Sequence, residues 1–132
     1  MAGVWLTVRV DFGAERALGP GKVRLLEAIG STGSISRAGR ALGMSYRRAW
    51  LLVNDMNRAF RAAVVVTKGG GAKGGGAALT AFGRALIEQY RAIEARATTA
   101  TRPQLEALAG ELRGRPRGLR KAVKTSIRPA AR

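Results

Sequence analysis

The stretch that most restricts how this 132-residue chain can fold is Ser34 to Phe60, SISRAGRALGMSYRRAWLLVNDMNRAF. Ile35, Ala38 and Leu42 fall at i, i+3, i+7, the spacing that puts side chains on one face of a 3.6-residue helix. Ser36, Arg37 and Arg40 then point away. Gly43 is placed to end that helix as a left-handed cap residue, and Ser45 to start another by accepting a backbone N–H bond. The turn between them is three residues long. Beyond it, Ala49, Leu52, Val53, Met56 and Phe60 make one apolar stripe, with Arg47, Leu51, Asn54 and Arg58 opposite. Two helices joined this tightly need a small residue where they cross, and Gly39, four before the turn glycine, supplies it. The pattern predicts a helix-turn-helix with arginines on its wet side.

Composition sets what such a unit can work on. Lys and Arg number 24 against 8 Asp and Glu, a formal net charge of +16, which points to polyanionic partners. Nucleic acid is favoured over a membrane surface, because no 18-residue apolar run exists and the basic residues fall on a recognisable module. The chain has no cysteine and no histidine. Disulfides, thiolate chemistry, histidine-based acid/base catalysis and nearly all transition-metal sites are thereby excluded, and no enzyme is expected. The segment MAGVWLTVRV lacks the pattern of a secretory signal, so a cytoplasmic, nucleoid-associated protein is expected, with no membrane partner.

Taken in order, Val4 to Val10 alternates apolar and polar residues and predicts a half-buried strand. Phe12 to Gly21 reads as a loop, with Pro20 suited to the first turn of a helix over Lys22 to Ile29. Val23, Leu26 and Ile29 are that helix's buried edge, and Gly30 and Gly33 close it. Val64 to Val66 favours a short strand and Ala77 to Leu79 its returning partner. Between them lies KGGGAKGGGA, with six glycines. Thr80 caps a further helix carrying Leu86, Tyr90, Ile93 and Ala97 at helical spacing. A last helix is predicted over Gln104 to Leu112. Residues 113–132 hold eight basic and no acidic residues, a disordered tail by charge and composition.

The expected fold is therefore mainly α with a small β-hairpin, a winged helix-turn-helix with a C-terminal dimerisation helix. Its boundaries are 1–101 for the DNA-binding domain and 102–132 for a short helix and basic tail. A helix that reads the major groove presents hydrogen-bonding side chains near its N-terminus while its back packs into the core. Ser45, Tyr46, Arg47, Arg48 and Asn54 meet that requirement. Arginine can pair with guanine O6 and N7 in two bonds, and asparagine with adenine in the same way. Ser34, Ser36 and Arg37 start the preceding helix and are expected at DNA as well. Trp50, at the edge of the apolar stripe, reads as partly buried packing rather than a base contact. The glycine loop brings Lys68 and Lys73, with closely approaching backbone, to DNA phosphates or the minor groove. It is not a nucleotide-binding P-loop, since that signature needs Ser or Thr after Gly-Lys and Lys73 is followed by Gly74. Part of the Leu86, Tyr90, Ile93, Ala97 stripe outlasts what a small module can cover and is assigned to pairing of two chains.

LLEAIGSTGSISRAGRALGMSYRRAWLLVNDMN and GGGAKGGGAALTAFGRALIEQY together resemble the N-terminal DNA-binding domain of the ModE-type molybdate-responsive transcription regulators. The resemblance runs from about Val23 to Glu94. GSIS, the SYRRAW and MN pair, and the double glycine run before LT-xx-G carry it. It implies a winged-helix homodimer that binds double-stranded DNA at a palindromic operator of molybdenum-related genes. Ser45, Tyr46, Arg47 and Arg48 are then the groove-facing positions, and Lys73, Gly74, Gly75 and Gly76 belong to the wing. The family's molybdate-binding domains open on a motif resembling KTSAR. Lys124, Thr125, Ser126 and Arg128 echo it, but Pro129 follows, and the echo reads either as coincidence in a basic tail or as a vestige. What remains is too short for an oxyanion cage, so no cofactor is expected and molybdate is not expected to bind this chain directly. Two readings compete with that of a regulator: a nucleoid-type architectural protein that binds DNA with little sequence preference, and an enzyme that uses the glycine loop for a nucleotide, whose saturable ATP or GTP binding is expected to be absent.

Overall fold

A computed structural model describes residues 3–68 and 76–115. The order is β1 (Val10–Phe12), β2 (Arg16–Leu18), α1 (Pro20–Thr32), α2 (Ile35–Ala41), α3 (Tyr46–Ala59), β3 (Val65–Thr67), β4 (Ala77–Leu79), α4 (Ala81–Ala100) and α5 (Arg102–Gly110). Three helices, a hairpin and a fourth helix in this order make the winged helix-turn-helix that the sequence predicts. Residues 9–90 form one compact unit, and residues 3–8 with 91–115 are the described part of a second.

In the first unit, local chemistry accounts for the helix boundaries. Pro20 occupies the first turn of α1, where its missing N–H costs nothing. Gly33 ends α1 in the left-handed region at φ 73°, its N–H donating to the Ile29 carbonyl. Ser34 then caps α2 by accepting from the Arg37 N–H, and Ser45 caps α3 by accepting from the Arg48 N–H. Between those two helices Gly43 also takes a left-handed conformation, φ 73°. The crossing is as tight as Gly39 implies, because a Cβ there would lie 3.0 Å from the Ala49 Cβ. Val23, Leu25, Leu26 and Ile29 of α1, Ile35 and Ala38 of α2, and Ala49, Val53 and Met56 of α3 are all buried. At one end of this core Phe60 packs against Phe12 and Phe82, ring centroids 5.9 and 5.4 Å apart. That cluster joins β1, the end of α3 and the start of α4.

Three expectations need correction. Val4 to Val10 does not form a strand. The strand is Val10–Phe12, pairing antiparallel with Arg16–Leu18 in register Val10↔Leu18, inside the segment read as a loop. An alternating pattern records which side chains are covered but not which backbone partner is in reach, and the turn through Gly13, φ 78°, brings Arg16–Leu18 beside Val10–Phe12. Gly30 does not close α1 but lies within it. A Cβ at Gly30 would come within 2.9 Å of the Leu79 Cδ1, so this glycine admits β4 to the helix surface. The last helix starts at Arg102, two residues earlier than predicted, because Pro103 fits inside its first turn.

The hairpin follows its predicted limits closely, with register Val65↔Leu79, Val66↔Ala78 and Thr67↔Ala77. Thr80 caps α4, its hydroxyl accepting from the Gly83 N–H at 2.8 Å and donating to the Ala63 carbonyl at 2.6 Å. Gly83 lies so close to the hairpin that a Cβ would overlap the Val64 carbonyl oxygen. Leu86 and Tyr90 are buried. In the second unit, Ile93 is exposed, Ala97 is half-buried and Arg91 pairs with Glu94 along α4.

Candidate nucleic-acid interface

The site begins with how α3 is turned. Burial of Ala49, Val53 and Met56 on one side leaves Tyr46, Arg47, Arg48, Leu51 and Asn54 exposed on the other. A capped N-terminus with exposed arginines behind it is the arrangement a groove-reading helix needs. The Arg37, Arg47, Arg48 and Lys68 side chains have no hydrogen-bond or ion-pair partner among the described residues, so their charges are available to a ligand. Arg58 differs, since it lies 3.6 Å from Asp55 in an exposed pair.

A cleft of about 830 Å³ runs beside α3. Ser34, Ser36, Arg37 and Arg40 of the α2 end line one wall, Tyr46 and Trp50 of α3 another, and Lys68 and Gly76 of the hairpin a third. Arg40 donates to the Ser36 hydroxyl at 3.3 Å, which aligns that wall. Six of the residues singled out from sequence therefore meet in one place: Ser34, Ser36, Arg37, Tyr46, Lys68 and Gly76. Ser45, the cap of α3, and Arg47, Arg48 and Asn54 on the helix are exposed but do not line the cleft. Lys73, Gly74 and Gly75 lie outside the described residues.

What holds the hairpin against this cleft is a set of backbone groups the strand ladder does not use. Lys68 N–H donates to the Gly76 carbonyl at 2.8 Å, which fixes the alternation of paired and outward residues along the two strands. Val65 and Ala77 therefore turn their backbone groups outward. Ala77 N–H donates to the Gly33 carbonyl at 2.9 Å, tying β4 to the corner between α1 and α2. On the other edge Asn57 serves α3: its Oδ1 accepts from the Val64 N–H at 2.7 Å and the Val65 N–H at 3.3 Å, and its Nδ2 donates to the Val65 carbonyl at 3.1 Å. Sequence reasoning missed this residue. The available signal was a polar side chain between Val53, Met56 and Phe60 on the inward edge of the helix, where an amide must find partners.

Trp50 is half-buried, as its place on the stripe implies, and meets the Tyr46 ring edge to face at 6.2 Å. No cluster of His, Cys, Asp or Glu suited to a metal ion occurs among the described residues. Nor is any described helix long and apolar enough to cross a membrane.

No protein-family model matches the chain. It is 53% identical over 78 residues to the molybdenum-pterin-binding protein MopB of Rhodobacter capsulatus, covering 59% of this chain and 29% of that protein. It is 41% identical over 85 residues to the molybdenum transport protein ModE of Azotobacter vinelandii, covering 64% and 32%. It is also 41% identical over 71 residues to the DNA-binding transcriptional dual regulator ModE of Escherichia coli K12, covering 54% and 27%. The matched part spans about a third of the length of these relatives.

Proposed function

We propose that this chain, which carries a ModE-type domain, is a sequence-specific DNA-binding transcription regulator acting on molybdenum-related genes. The observation that carries the reading is the exposed face of α3. Arg47, Arg48 and Asn54 stand free on a capped helix whose opposite side is core, beside a cleft that adds Arg37 and Lys68. With α3 in the major groove, Arg47 and Arg48 supply two-bond contacts to guanine and Asn54 to adenine. The serines and lysine around the cleft then contact phosphates and hold the register without reading sequence. The net charge of +16 supplies long-range attraction to any duplex.

The molybdenum assignment rests on the names of the relatives, two of which are called molybdenum proteins and one a transcriptional regulator. A homodimer is part of the reading, since Ile93 of α4 leaves a large apolar side chain exposed. Pairing would set two α3 helices one DNA turn apart, about 34 Å, on a palindrome. A monomer in sedimentation at micromolar concentration would reject the pairing.

Selection of bound duplexes from a random pool, with and without molybdate, tests the function. A symmetric sequence motif is expected. Against that motif, Arg47→Ala and Arg48→Ala should each lose about 1–3 kcal/mol of discrimination. Equal weakening on selected and random DNA would remove base reading and leave the architectural alternative, driven by charge alone.

A further inference from the structure

The cleft beside α3 contains an aromatic pair that the arginine and phosphate contacts leave unused. Tyr46, the first residue of α3, is a large aromatic side chain and yet is 59% exposed. Trp50 follows one turn later on the same helix face, and the two rings meet edge to face at 6.2 Å and 73°. Because Trp50 is itself half-buried, it fixes the tyrosine ring from one side. That contact restricts the ring on one side before any ligand arrives, which lowers the rotamer freedom lost on binding.

The neighbours indicate what such a ring meets. Arg37 and Lys68 line the same cleft, so its occupant is polyanionic; the ring adds a demand for an apolar group at the occupant's readable edge. In the major groove of duplex DNA that group is the C5-methyl of thymine, which no arginine or asparagine contact distinguishes. We propose that Tyr46, positioned by Trp50, packs on a thymine C5-methyl group. The protein then reads thymine at a position where its polar side chains read nothing. This rests on the placement of α3 in the major groove proposed above.

The test uses the full chain and its selected duplex. Each thymine is replaced singly by deoxyuridine, which removes the methyl and keeps all hydrogen-bonding groups. At one thymine, or one symmetry-related pair, affinity should fall about fourfold per site, the worth of burying one methyl group. Tyr46→Ala should bind more weakly and show no further loss from uracil at that position. Tyr46→Phe should behave as the wild type, because the ring makes the contact. Tolerance of uracil everywhere, or a uracil penalty that persists in Tyr46→Ala, overturns the proposal while base reading stands. A Tyr46→Phe loss equal to that of Tyr46→Ala would also overturn it, since a hydroxyl-to-phosphate bond would then be the contact. If no sequence is enriched from the pool, the groove placement of α3 falls and this proposal falls with it.

Discussion

Asn57→Ala should cost this protein far more than a half-buried polar side chain on a helix usually does. The amide partners three backbone groups at once, with bonds of 2.7, 3.1 and 3.3 Å to the start of β3. Val64 and Val65 are 0% and 3% exposed, so water cannot readily replace what alanine removes. The β4 strand cannot replace it either, since the register turns the Val65 N–H and carbonyl away from the ladder. A buried polar group left unpaired costs about 1–3 kcal/mol, and the 3.3 Å bond belongs at the weak end, so the sum is about 3 kcal/mol. For a domain of this size each kcal/mol shifts the midpoint by about 4–8 °C, which gives a fall in Tm of about 12–24 °C. Urea unfolding followed by tryptophan fluorescence measures the loss, and native-state amide exchange locates it at Val64 and Val65. A loss under about 0.5 kcal/mol, the spread of ordinary surface substitutions, would refute the reasoning. So would unchanged exchange at Val64, because the hairpin would then be held by strand pairing and apolar packing alone.

Gly83→Ala should destabilise by about 1–3 kcal/mol, since the new methyl overlaps the Val64 carbonyl that accepts the Thr80 N–H at 3.0 Å. Alanine's better helix propensity, about 1 kcal/mol, works in the opposite direction, so a thermal midpoint at or above that of the wild type would show that the close approach is not rigid. Lys68→Ala should weaken binding to all duplexes alike and reduce the slope of log K against log salt by about 0.9. A titration series with an unchanged slope would remove Lys68 from the phosphate contacts.

The parts of this fold legible in sequence are those decided within a few residues of chain. Ser34, Ser45 and Thr80 each cap the helix they precede, because a side-chain oxygen three residues ahead of an orphan N–H needs no tertiary help. Gly39 and Gly43 were legible for a similar reason: a short turn between two apolar stripes leaves few geometries, and each glycine answers one of them. What sequence did not reveal depends on partners chosen across space. The β1–β2 hairpin lies in a stretch rich in turn residues, and the described strand that pairs there is Val10–Phe12 rather than the better-alternating Val4 to Val10. Gly30 reads as a helix stop in sequence, whereas in the fold Leu79 lies against it within α1. Within the interface, sequence identified the arginines of α3 and the serines of α2 as candidates. It did not show that Arg37, Tyr46 and Lys68 share a cleft from which Arg47 and Arg48 are absent.

That division between cleft and helix face follows from where the hairpin's spare hydrogen bonds go. Gly33 closes α1 with its N–H and receives the Ala77 N–H on its carbonyl, so one residue ends a helix, precedes the Ser34 cap and anchors β4. A Cβ on Gly76 would lie 3.2 Å from that same carbonyl, which keeps the strand's approach close. Asn57 anchors the other edge to α3, on the side of the helix that carries Tyr46 and Trp50 rather than the side that carries Arg48 and Leu51. Lys68 and Gly76 are thereby positioned from the base of the hairpin, by contacts to helices that the core already holds. The charged rim of the cleft is consequently coupled to the stability of α3 itself. A substitution that loosens Asn57 or Gly33 should act on phosphate contacts and on the Tyr46 ring together, whereas one at Arg47 or Arg48 should act on base reading alone.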